Sequence, residues 1–253
     1  AITFCPSKIL MLSCTVDVHK AFIQIAVIGW TRDMCSFLIE YIRLEDEDCT
    51  RRESPVWGAL RELIEERTWT ADDGTEYGLA VTVKDAGYAS DTVVTFCNDY
   101  ETGVYPCVGR DRPAKFQSIR EFSEYNTTAG TIGFKILVDH YKDRLSPVLR
   151  RDWYPEAGQQ APYHFNAPVD TPDSALKELT VEKKIEKTNE KGQVSYEWHR
   201  PGNARNELWD LMVYAHAAVE IVAYNICITH FELEKINWTQ FWDFVEETKL
   251  FIV

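Results

Sequence analysis

Three aspartates in this sequence sit where an uncompensated charge is costly. Asp17 interrupts the apolar run TVDVHKAFIQIAVIGW (15–30), in which Val16, Val18, Phe22, Ile25, Val27 and Ile28 read as one buried β-strand with Asp17 and His19 near its head. Removing a carboxylate from water costs several kcal/mol unless a cation meets it. Asp85 closes a later apolar run, LAVTVKD. Asp210 lies in NELWDLMVYAHAAVEIVAYNI, with Glu207 three residues earlier on nearly the same helix surface. Carboxylates on an early strand, on a later strand end and on a helix packed over the sheet are the donors that two-metal phosphoryl transfer needs. Hard oxygen ligands select Mg²⁺ or Mn²⁺. Two such ions about 3.5–4 Å apart activate a water and stabilise the leaving 3′ oxygen of a phosphodiester. Spacing alone leaves the plainer alternative open, that these are solvated charges of an acidic protein.

The elements that must position these acids follow an α/β order. CSFLIEYIRL (35–44) is a second strand and EDEDC an acidic turn. SPVWGALRELIEERT starts a helix with Ser54 as N-cap and Pro55 in the first turn. Asp72-Asp73-Gly74 marks a turn. The strand ending at Asp85 meets an Ala-Gly break, and the stretch beyond it is either a short helix or another strand. VYPCVG (104–109) is a further strand. Residues 110–128 are polar and irregular, and their Arg110, Arg112, Lys115 and Arg120 make the clearest local basic surface. GFKILVDHYKDRL (133–145) has helical periodicity, and 151–174 is a proline-bearing loop containing His164. LTVEKKIEKT and QVSYEWH form a two-stranded ribbon around Asn189–Gly192, an insertion spanning 175–200. A wide apolar face, Leu208, Leu211, Met212, Ala215, Ala218, Val219 and Val222, defines the long helix that begins at Asn206. An amphipathic helix over 236–250 packs back through Trp238, Phe241, Trp242 and Val245. These elements predict one domain, 1–253, with a central mixed sheet flanked by helices.

At 253 residues, with 45% apolar residues and eight tryptophans, the chain is not a disordered segment. Its formal charge of -13 repels a nucleic-acid backbone and excludes tight, stand-alone, non-specific DNA binding. The seven cysteines are scattered without a CxxC pair, which suits reduced, buried thiols and excludes a zinc ribbon. There is no basic-then-apolar leader. LMVYAHAAVEIVAYNICI carries His216 and Glu220, so it reads as a buried helix and no membrane association is expected.

Taken in order, TVDVH, KDAGYASDTVVTF and NARNELWDLMVYAHAA resemble the C-terminal nuclease domain of the large terminase subunit of tailed phages, in its lambda-like GpA branch. That family shows G-V-D-V-Q, an acidic residue on the next strand, D-S-G before a V-Y-x-F strand, and N-E-x-x-D running into Y-A-x-A-A. In the middle, GTIGFKILVDHYKDRL is similar to its G-x-x-x-x-K-x-x-L, YHF to its H-F-P, and ELTVEK to its L-T-x-E. The resemblance covers nearly the whole chain and implies an RNase H-like fold. It implies an endonuclease that cuts concatemeric double-stranded viral DNA during genome packaging in the host cytoplasm. Asp17, Asp85 and Asp210 would be the catalytic acids and would hold two Mg²⁺ or Mn²⁺ ions, with Glu40 on the second strand a weaker additional ligand. The implied partners are an ATPase domain, a small terminase subunit and a portal protein. Thr15, His19 and Ala86 depart from the family's Gly, Gln and Ser without removing a ligand. No GxxxxGK[ST] loop occurs, so no nucleotide site is expected, and the chain is either an excised nuclease domain or a nuclease working without its motor.

Other residues are candidates around the acids. His19 shares a strand face with Asp17, and Lys84 neighbours Asp85. Either could contact a phosphate, although alternation sends Lys84 to the opposite face, where an exposed lysine is the simpler expectation. Glu207 flanks Asp210, and Asp91 competes with Asp85. Lys115, Lys183, Lys184 and Lys187 could touch DNA, or the ribbon lysines could be a solvated edge. His164 could also meet DNA, and His216 is expected to be structural. Two rival functions remain at this level: another RNase H-like enzyme such as a junction resolvase, and a non-catalytic module docking on the packaging motor.

Overall fold

The computed structural model describes residues 5, 6, 8–110, 121–149 and 163–253. Residues 15–30 form a hairpin, not one strand. β1 (Met11–Val18) and β2 (Phe22–Trp30) pair antiparallel with Asp17 opposite Gln24, and the His19 amide donates to the Phe22 carbonyl to close the turn. The turn His19-Lys20-Ala21 contains no glycine or proline, which is why the run looked continuous. Asp17 therefore stands at the C-terminal end of β1. β3 (Ser36–Glu45) continues the meander antiparallel to β2, with a register shift between Val27 and Ile28.

α1 (Pro55–Glu65) starts after Ser54, whose hydroxyl donates to Asp46 and does not cap the helix. A small hairpin, β4 (Trp69–Thr70) and β5 (Glu76–Tyr77), turns at Gly74, whose φ of +86° suits glycine. β6 (Leu79–Asp85) then runs parallel to β1, with Val16 level with Lys84. The stretch after Asp85 resolves as a helix, α2 (Ser90–Cys97), followed by β7 (Val104–Arg110), parallel to β6. β8 (Phe122–Asn126) and β9 (Ile132–Leu137) pair antiparallel, and β9 lies parallel to β7. Residues 133–137 thus belong to a strand, and only Val138–Leu149 form helix α3. Phe134 and Ile136 alternate into the core, so pairing with β7 and β8 outweighs the helical pattern.

The chain finishes with β10 (Phe165–Asn166), α4 (Asp173–Glu178), β11 (Lys183–Thr188), β12 (Val194–His199), α5 (Glu207–Phe231) and α6 (Trp238–Thr248). β11 and β12 make the expected ribbon, a separate two-stranded sheet.

The main sheet has eight strands in the order β10-β3-β2-β1-β6-β7-β9-β8. One face carries Met11, Ala26, Ile28, Val81 and Val83 and packs against α5; the other carries Leu12, Cys14, Val16 and Ile25 and packs against Trp57 and Leu60 of α1 and Phe96 of α2. An antiparallel β1–β2–β3 meander joined through β1 to parallel β6 and β7, with helices on both faces, is an α/β arrangement consistent with the RNase H-like fold. α5 is long and apolar enough to cross a membrane by length and composition, but 83% of its most apolar window is buried inside the protein. Its apolar surface is not one face but most of the circumference, because the sheet, α3, α4 and α6 all pack on it. Phe241, Trp242 and Val245 of α6 are buried there. The seven cysteines are free and buried.

Candidate active site

Because Val16 is level with Lys84 on adjacent parallel strands, the next residues, Asp17 and Asp85, stand side by side at the strand ends. Neighbouring strands lie about 5 Å apart. Alternation turns both carboxylates toward α5, on the face that buries Val81 and Val83. The first turn of α5 supplies Asp210, and Tyr214 follows one turn later. Ligand groups gather beyond the carboxyl ends of parallel strands in such sheets.

Asp85 and Asp210 both sense the charge of Asp17. Burial raises the Asp85 pKa and the charge of Asp17 adds to it, while the Gly87 amide (2.9 Å) and the Tyr214 hydroxyl oppose the rise by hydrogen bonding. Burial pushes Asp210 up to about 6, with Lys142 pulling down and Glu182 and Asp17 pushing up. The His19 imidazole is raised, chiefly by its hydrogen bond to Asp17 Oδ2 at 2.9 Å. Asp85 is half-buried and forms no ion pair among the described residues.

A half-buried group of oxygen donors with too little positive charge suits hard divalent cations. The acids are nonetheless not gathered into metal geometry as they stand: among the described residues, no three His, Cys, Asp or Glu side chains form a group that could hold an ion. Each is tied to a protein partner instead, Asp17 to His19, Asp85 to the Gly87 amide, and Asp210 to Asn206 at 2.7 Å. The donor chemistry fits Mg²⁺ or Mn²⁺, and closing around an ion requires side-chain rearrangement.

Glu40 does not join this group. With regular pairing it would face Ala26 and α5. The β-bulge between Val27 and Ile28 sets it opposite Val27 instead, and hence on the far face with Cys14, where it pairs with Arg67. Lys84 also lies on the far face, but it is neither exposed nor able to reach a phosphate. It is fully buried, with Nζ 3.0 Å from the Phe96 ring centroid and no hydrogen-bond partner among the described residues, and burial lowers its pKa to about 7. Glu207 is held by Arg205 at 3.1 Å and contributes its charge to His19. Asp91 is exposed in the first turn of α2, away from Asp85's partners.

Lys184 is paired with Asp143 at 2.6 Å and Lys187 with Glu197, so of these three lysines Lys183 alone lacks an ion pair among the described residues. Lys115 lies outside the described residues, with Arg112 and Arg120. The His164 carbonyl accepts from the Ser36 amide, an edge-strand role. His216 is buried edge-on to Trp30, and burial lowers its pKa to about 3, so it is a neutral packing residue.

Sequence reasoning passed over Lys142, Glu182, Asn206 and Tyr214. Lys142 Nζ lies 2.7 Å from Glu182 and 3.4 Å from Asp210. Asn206 donates to Glu182 at 2.8 Å and to Asp210 at 2.7 Å, and accepts from Arg200 at 2.6 Å. The signal for Glu182 was present in ELTVEK, whose fifth residue is the acid.

A model of the family described as terminase large subunit gpA, endonuclease domain, matches residues 1–238. No curated protein and no solved structure matches the chain significantly.

Proposed function

The chain belongs to the terminase large subunit gpA endonuclease-domain family, and from that premise we propose a metal-dependent endonuclease that cuts concatemeric double-stranded viral DNA by two-metal phosphodiester hydrolysis. Cleavage of DNA in phage genome packaging is the family's role; the metal chemistry and the residue assignments are our reading. The observation that carries it is the alignment of Asp17 and Asp85 on adjacent parallel strand ends beneath Asp210 of α5.

Asp17 would hold both ions, with Asp85 and Asp210 holding one each. When bound, Mg²⁺ or Mn²⁺ lowers the pKa of a water and neutralises charge at the leaving oxygen. The chain's own residues set the geometry. The Gly87 amide and the Tyr214 hydroxyl orient Asp85, Asn206 orients Asp210, and His19 steadies Asp17 at the open end of the site. With its raised pKa, His19 also offers partial positive charge toward an incoming phosphate near neutral pH. A net charge of -13 leaves intrinsic DNA affinity low. The ATPase domain, small terminase subunit and portal would therefore hold this domain on DNA in the host cytoplasm.

A second reading, a non-catalytic docking module, draws on the observation that each acid already has a protein partner. Supercoiled plasmid incubated with Mn²⁺, Mg²⁺ or EDTA decides between them. The nuclease reading expects nicking that needs the metal and disappears in Asp17→Ala. Absence of nicking by folded wild type with either metal supports docking and overturns the proposal.

A further inference from the structure

The buried ion network beside Asp210 has an asymmetry with a functional consequence. Lys142, Glu182 and Asn206 are all buried, although two carry full charge and none belongs to the apolar core. The Lys142 ammonium makes a charge-assisted hydrogen bond to Glu182 Oε2 at 2.7 Å but stays 3.4 Å from Asp210 Oδ1, beyond the range of a good one. The amide of Asn206 uses its two hydrogens on Glu182 Oε1 and Asp210 Oδ2. Its oxygen is taken by Arg200, which fixes the amide's orientation. Both Glu182 oxygens are therefore committed to the scaffold, and one Asp210 oxygen is only loosely engaged.

We infer that Glu182 is a positioning residue for the acid site: it draws the Lys142 ammonium off Asp210, so that Asp210 Oδ1 stays available to a divalent cation. This inference rests on the metal-dependent reading above. Lys142 is the resident cation that balances buried Glu182 and half-buried Asp210 while no ion is bound. If Glu182 loses its charge, no other acid among the described residues pairs with Lys142 in competition with Asp210. The ammonium then closes onto Asp210 and opposes the incoming ion.

The sign of the double variant separates this role from simple packing. Mn²⁺ binding is measured at pH 8 from the electron paramagnetic resonance signal of the free ion. The proteins are wild type, Glu182→Gln, Lys142→Met and the double variant, each checked for cooperative thermal unfolding. Glu182→Gln should weaken Mn²⁺ binding about tenfold or more, the usual cost of losing a partner that orients a metal ligand. Lys142→Met should bind at least as tightly as wild type. The double variant should recover most of the loss, because the competing cation is gone.

Unchanged Mn²⁺ binding in Glu182→Gln overturns the inference, as does a double variant weaker than Glu182→Gln. If Glu182→Gln does not fold, a tenfold loss in Lys142→Met overturns it by itself. Wild type that binds no Mn²⁺ removes the metal reading and this inference with it, a result distinct from normal wild-type binding with an insensitive Glu182→Gln.

Discussion

Lys84→Met should stabilise the protein, and the gain should shrink as pH rises. Lys84 is fully buried on the α1–α2 side of the sheet, its amine has no hydrogen-bond partner among the described residues, and its pKa falls from 10.5 to about 7 by burial. The nearby Cys14 and Cys97 thiols, raised by burial to about 12 and about 11, stay protonated and supply no counter-charge. The folded-state pKa lies below the unfolded one, so between these values the unfolded chain binds the extra proton. Stability contributed by this residue is therefore lowest at and below pH 7 and rises toward pH 10.5.

A drop of this size corresponds to roughly 4–5 kcal/mol of burial cost at pH 7 and below, and about 2 kcal/mol less at pH 9. The contact with the Phe96 ring offsets about 1–2 kcal/mol of it, so roughly 3 kcal/mol is the gain expected at pH 7 from an apolar side chain of similar length. Urea unfolding of wild type and Lys84→Met at pH 7 and pH 9 measures both quantities. Titration of the cysteines, common to the two proteins, largely cancels in the difference. A variant less stable than wild type at pH 7, or a difference that does not change with pH, would refute the reasoning.

Other outcomes can be checked on the same protein. Asp210 has its pKa raised to about 6, so Mn²⁺ must displace a proton below that pH; calorimetric affinity should fall about tenfold for each unit below it. Tyr214→Phe removes the hydroxyl that holds the Asp85 pKa down, and plasmid nicking should slow about tenfold while stability falls by only ~1 kcal/mol. Gly109→Ala would place a methyl 2.9 Å from Val138 Cγ2 and 3.5 Å from the Tyr214 hydroxyl, costing about 1–3 kcal/mol in urea unfolding through overpacking. Glu220→Ala leaves the buried Tyr141 hydroxyl and half-buried Arg144 without their acceptor, and about 3 kcal/mol of stability should be lost.

What the sequence revealed and concealed follows physical lines. Asp85 at a strand end, the Pro55 helix start, the ribbon around Asn189–Gly192 and the C-terminal helix were legible because each depends on local pattern. The hairpin at His19-Lys20-Ala21 was not, since its turn carries no punctuating residue. Glu40 was misplaced because one bulge residue in β3 exchanges the faces of the sheet, and nothing in SFLIEYIRL announces it. Lys84 was assigned its face correctly and its environment wrongly; alternation gives direction, whereas burial depends on α1 and α2 covering that face. Lys142, Glu182 and Asn206 come from three separate segments, so their meeting beside Asp210 is a property of the tertiary structure alone.

The most direct test of the central claim is an anomalous-scattering map from crystals soaked in Mn²⁺. The account predicts one or two peaks coordinated by Asp17, Asp85 and Asp210 at the C-terminal ends of β1 and β6. Strong peaks elsewhere with these three carboxylates still on their protein partners, at saturating Mn²⁺ and neutral pH, would contradict it.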